Sequence, residues 1–193
     1  MFNGQSCIRS LNVQCDVQLN SFFFGEKVET VQMTQLRDRF RDVYLRPSIL
    51  GAIDGLITSF VIVAGGFASS ASIRVITLIG FSSLFADGIS MGVSEALSSR
   101  AQDSDLTIRN AALQGATCLA GFVSFGSMPL IGYVVGRTHV ARRLLSTFLF
   151  LLFLMIVGII RAWVARQSVF RTVAEIVCLG SVAGGVAYGI ASI

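Results

Sequence analysis

Between residues 47 and 193 the apolar positions gather into five long blocks, each closed by arginines or short polar turns. The blocks run roughly over 47–67, 75–97, 111–135, 144–163 and 172–193. Each matches the length of about 20 residues that a helix needs to cross the hydrocarbon of a bilayer. The first opens at Arg46-Pro47, where proline suits the first helical turn. The second lies between Arg74 and Arg100, and the third stops before Gly136-Arg137. Only residues 98–110, SSRAQDSDLTIRN, read as a polar loop of any size. The pattern predicts an all-α integral membrane bundle of five transmembrane helices.

Residues 1–46 are a different material and are read as an N-terminal extension to a membrane domain at 47–193. Leu36, Phe40, Val43 and Tyr44 recur at helical spacing, with Arg37, Asp38, Arg39, Arg41 and Asp42 between them. That predicts a basic amphipathic helix lying in the headgroup plane, or equally one packed on a partner subunit. Residues 1–25, with Phe22-Phe23-Phe24, lack the charge-then-apolar-block pattern of a cleaved signal peptide.

Composition sharpens the class. Charged residues make up 13% of the chain, about half the usual share of a soluble domain, roughly 25%. Eleven of the charges lie in residues 1–46, leaving 15 for the remaining 147 residues. A mean hydropathy of +0.73 agrees. Disordered chains, nucleic-acid binders with a basic face and most soluble enzymes are excluded. Basic residues then orient the spans. With the N-terminus in the cytosol, that side holds Lys27, Arg37, Arg39, Arg41, Arg46, Arg100, Arg109, Arg161, Arg166 and Arg171, and the other only Arg74, Arg137, Arg142 and Arg143. The positive-inside rule favours N-in and C-out. The single histidine, His139, sits in an arginine-rich turn without a motif, so no enzymatic site is read. Cys7, Cys15, Cys118 and Cys178 are scattered and read as small apolar fillers.

Ionisable groups within spans are costly and mark function by default. Here they are Asp54, Asp87, Glu95 and Glu175, with no lysine or arginine deep in any span to neutralise them. Each has to be protonated, reach water or face a bound cation, which points to a cation or proton path. Asp87, Met91 and Glu95 are four apart and form one stripe. Asp54 lies eight residues in from Arg46 and Met91 nine in from Arg100. Both therefore fall about 12–14 Å from the same edge. A hard carboxylate beside a soft thioether suits a borderline transition ion such as Fe²⁺ better than Ca²⁺ or Mg²⁺. Gly51-x-x-x-Gly55, Gly180-x-x-x-Gly184 and Gly185-x-x-x-Gly189 each permit close helix approach.

These residues resemble a family. FRDVYLRPSILGAIDGLITSFVIVAGG (40–66) followed by LFADGISMGVSEALSSRAQ (84–102) is similar to the first two spans of the vacuolar iron transporter family, GAIDG and ADGxSM being nearest its bacterial branch. GSMPLIGYVVG (126–136) resembles its third span, and VGIIRAWVARQSVFRTVAEIVCLGSVAGGVAYGI (157–190) its fourth and fifth. The resemblance implies homodimers with the ion path between protomers. It also implies proton-coupled export of Fe²⁺, or Mn²⁺, from the cytosol into a vacuole or across another membrane; the expected location is a vacuolar or other organelle membrane, with the mitochondrial inner membrane left open. The ion is cargo, and no permanently bound cofactor is expected. Carried over by motif, Asp54 in GAIDG is the first-helix carboxylate, Met91 in DGISM the thioether ligand, and Glu95 the carboxylate that receives the metal. Asp87 is assigned to proton relay. One departure is plain: where many members carry a long glutamate-rich helical domain, residues 98–110 offer only Asp103 and Asp105. Short plant nodulin-like members lack it too. The alternative is a non-transporting, structural subunit of a larger membrane complex, a role that the long N-terminal extension would suit. Expected partners are the bilayer and a second copy, or other membrane subunits in that alternative, and no nucleic acid.

Overall fold

The structure, a computed structural model, describes residues 40–103 and 105–193. Most of the amphipathic segment and Phe22-Phe23-Phe24 lie outside the described residues. A π-helical turn, Arg41–Leu45, runs directly into α1 (Arg46–Ala68). Then follow α2 (Ile73–Gln102), α3 (Ile108–Val135), α4 (His139–Ala165) and α5 (Val169–Ala191). All five helices are long and apolar enough to cross a membrane, and no strand occurs among the described residues.

The helices outrun the apolar blocks because hydropathy marks only the part inside the hydrocarbon. Caps decide where the helix stops. Pro47 occupies the first turn of α1. The Ser72 hydroxyl accepts the Val75 N–H at 3.4 Å, and the Thr138 hydroxyl accepts that of Ala141 at 3.1 Å. The largest difference from the expected pattern is at 98–110. Ser98–Gln102 continues α2 instead of forming a loop, since the stretch contains no glycine or proline. The Gln102 amide donates to the Ser98 hydroxyl at 3.1 Å, and the Asp103 N–H closes the helix on the Ser99 carbonyl. The connection shrinks to residues 103–107.

α3 is the central helix, packed along both α1 and α2 and against α4. Its contacts are backbone on backbone. A Cβ at Gly51 would meet the Cys118 carbonyl oxygen, one at Gly55 that of Phe122, and one at Gly121 that of Ser48. On the other side a Cβ at Gly92 would lie 2.8 Å from the Gly115 carbonyl oxygen. Lipid removes the hydrophobic drive between spans, so such close approach supplies much of the association. Two apolar cores flank the seams. Ala52 and Leu56 of α1 bury with Phe150, Leu154 and Val157 of α4 and Ile176 of α5. Phe60 stacks on Phe150 with centroids 4.0 Å apart. The second core joins Val63, Ile76, Leu84, Phe122, Leu130 and Tyr133. Pro129 lies inside the continuous α3, and its carbonyl accepts the buried Ser146 hydroxyl of α4 at 2.9 Å.

Candidate functional site

The glycine seams set the register of the acidic residues. Gly55 of α1 and Gly88 of α2 both press on Phe122 of α3, from two sides. Asp54 and Asp87 each precede one of these glycines, so they stand at the same depth. They lie within electrostatic reach of one another. Both are exposed on the surface of the single chain, outside its packed interior. Each sits one helical step away from the glycine that faces α3, and that step turns it by about 100° onto the open side.

Met91 and Glu95 continue along α2 toward the 103–107 connection, both half-buried. Met91 packs at the margin of the core formed by Leu84, Phe122 and their neighbours. Counting from the flanking arginines pairs Asp54 with Met91; the packing instead aligns Asp54 with Asp87. Met91 is one turn, about 6 Å, nearer the connection. The count missed this because it takes Arg46 and Arg100 to stand at one level, whereas the stagger of α1 and α2 is set by their glycine contacts with α3. Cys118, fully buried against Gly51, lies within the field of both Asp54 and Glu95. Asp54, Met91 and Glu95 thus belong to one region where α1 and α2 flank α3.

That region is not a finished metal cage. Among the described residues no three His, Cys, Asp or Glu side chains come close enough to hold an ion. One chain provides an open face with a carboxylate from α1 and two carboxylates and a thioether from α2. Glu175 is exposed near the start of α5, apart from this face, and His139 is exposed at the start of α4. The residues that sequence reasoning passed over are the glycines of α2 and α3 that aim the acids: Gly88, Gly92, Gly115, Gly121 and Gly126. Gly88-x-x-x-Gly92 carried the same small-residue signal as Gly51-x-x-x-Gly55.

Five helices long and apolar enough to cross a bilayer, with carboxylates exposed on one face of the single chain, define an integral membrane protein. The family model described as the VIT family matches residues 45–112 and 103–192. The chain belongs to the VIT family. It is 44% identical over 59 residues to a protein named "Vacuolar iron transporter" from Plasmodium berghei, covering 31% of this chain and 22% of that one. The corresponding protein of Plasmodium falciparum gives 45% over 58 residues, 30% of this chain and 21% of the relative. These alignments span about a fifth of those relatives' length. "Vacuolar iron transporter homolog 2.1" of Arabidopsis thaliana is 23% identical over 192 residues, covering 86% of this chain and 84% of that protein.

Proposed function

We propose that the chain carries divalent transition-metal ions, Fe²⁺ foremost and Mn²⁺ as a second cargo, out of the cytosol across an organelle membrane in exchange for protons. The observation that carries this reading is the pair Asp54 and Asp87, exposed at one depth in the span region. No arginine or lysine lies between Arg46 and Arg74, or between Arg74 and Arg100, to neutralise them. Carboxylates at that depth need a proton, water or a cation. Relatives named for iron transport support the choice of cargo.

In this reading Glu95 takes the ion from the cytosolic side. Asp54 and Met91 then share it, the thioether favouring a borderline ion over Mg²⁺ or Ca²⁺. Asp87, level with Asp54, exchanges the proton. In this reading a second copy completes the coordination, the two chains meeting over α1 and α2; the exposure of Asp54 and Asp87 supports it. The test is reconstitution into liposomes. Metal-dependent Fe²⁺ flux coupled to a lumenal pH change is expected, and Asp54→Asn is expected to abolish its pH dependence while the protein stays folded. PH-dependent flux unchanged in the variant would remove Asp54 from the mechanism.

The five-residue connection at 103–107 is compatible with a second reading, a structural subunit of a larger membrane complex. It leaves no room for a metal-gathering domain, and a structural subunit would need none. Absence of flux from folded, reconstituted chain would select that reading.

A further inference from the structure

Two hairpin tips at the same end of the bundle differ sharply in composition. The α2–α3 tip balances Arg100 and Arg109 against Asp103 and Asp105, among serine, glutamine, threonine and asparagine. The α4–α5 tip, RAWVARQSVFR (161–171), holds Arg161, Arg166 and Arg171, all exposed, and no acid. Counting Glu175, one turn further on, the tip still carries three arginines against one glutamate, a net charge of +2. It also exposes two large rings almost completely: Trp163 at 82% and Phe170 at 86%.

Length places the two tips differently. α5 has 23 residues, about 34 Å at 1.5 Å per residue, barely more than the roughly 30 Å of hydrocarbon. Its first turn therefore falls at the headgroup layer. α2 has 30 residues, about 45 Å, and its surplus length ends in the polar stretch 98–102, which water solvates better than the headgroup layer's apolar side. The positive-inside rule explains arginines at either tip. It does not explain why only one tip lacks acids and bares two rings. Arg166 adds a further sign. It closes α4 at φ 52°, in the left-handed region where glycine is the ordinary choice, so an arginine here carries a backbone cost.

We propose that the α4–α5 tip is a docking site for anionic phospholipid headgroups. Trp163 and Phe170 enter the glycerol level, where amphipathic and apolar rings are favoured. Arg161, Arg166 and Arg171 engage the phosphates, each guanidinium offering several donors. The lipid is the occupant rather than a soluble anion because the rings need an apolar layer directly beside the charges.

Trp163 is the sole tryptophan of the chain, which makes its fluorescence a local probe. The full chain is reconstituted in phosphatidylcholine bilayers containing brominated phosphatidylglycerol, and quenching is compared with brominated phosphatidylcholine. Wild type is expected to prefer the anionic lipid several-fold. Each arginine removed should take away part of that preference, about twofold, less than the roughly 1 kcal/mol per charge available to a fully engaged residue near the surface. R161Q/R166Q/R171Q should lose the preference, and R100Q/R109Q on the balanced tip should keep it. High ionic strength should weaken it in wild type without any substitution. Equal quenching by the two lipids in wild type, or a preference unchanged in the triple variant, would overturn the proposal. So would displacement of the anionic lipid by inorganic phosphate at an ionic strength where chloride has no effect.

Discussion

Gly55→Ala offers a direct measure of how much the α1–α3 seam contributes. The added methyl points at the Phe122 carbonyl oxygen, and two further backbone atoms of Phe122 lie 3.0 Å from it. Backbone cannot swing away as a side chain can, so α1 and α3 must separate. Separation by even a fraction of an ångström forfeits part of the dispersion energy along the seam. Overpacking of this kind costs about 1–3 kcal/mol. Alanine recovers about 0.5–1 kcal/mol through better helix propensity. The expected net loss is therefore between about 0 and 2.5 kcal/mol. Gly185→Ala is the matched control, because nothing lies within 4 Å of its Cβ position. It should be neutral, or more stable by about 0.5–1 kcal/mol. Thermal unfolding of both variants in one detergent provides the assay, with circular dichroism as the signal. In a soluble chain of this size each kcal/mol moves Tm by about 2–4 °C. Equal stability of the two variants would refute the backbone-on-backbone seam.

Other substitutions test other parts. Phe150→Ala removes the ring stacked on Phe60 and empties the α1–α4–α5 core, and should cost about 3–5 kcal/mol in the same unfolding assay. Ser146→Ala removes the hydroxyl's hydrogen bond to the Pro129 carbonyl between α4 and α3 and should cost about 1 kcal/mol; no change would mean that this bond adds nothing to the α3–α4 seam. Met91→Leu keeps the volume at the core margin, so its stability should fall by less than about 1.5 kcal/mol. A much larger drop in Fe²⁺ affinity, measured by metal titration of the reconstituted protein, would then be an effect of losing sulfur.

The five spans were legible because hydropathy at span length is a strong signal and the arginines mark most of the ends. The helix termini were less so. Ser98–Gln102 is polar enough to look like a loop, yet polarity reports the solvent rather than the backbone, and the stretch holds nothing that breaks a helix. Asp54, Asp87, Met91 and Glu95 were legible as a set by their rarity within spans and by their four-residue spacing. Their mutual depth was not. It depends on the stagger of α1 and α2 against α3, which Gly55, Gly88 and Phe122 fix and no count along a single helix contains. Nor could a linear pattern show that Asp54 faces outward: that requires knowing which side of α1 meets α3, a choice settled by Gly51 and Gly55 together.

The two glycine seams have a mechanical consequence. Contacts made through side chains are compliant, because rotamers adjust and neighbouring residues slide. Contacts made through carbonyl oxygens and α-carbons have no such cushion. α1, α2 and α3, clamped at Gly51, Gly55, Gly92, Gly115 and Gly121, are therefore stiff against one another near the level of the acidic residues. Any movement that opens this face first to one side of the membrane and then to the other has to shear along softer boundaries. One such boundary is the interdigitated Phe60, Phe150 and Leu154 layer toward α4 and α5. The carboxylates would then travel as fixed points on one rigid body, keeping their spacing while the surroundings change.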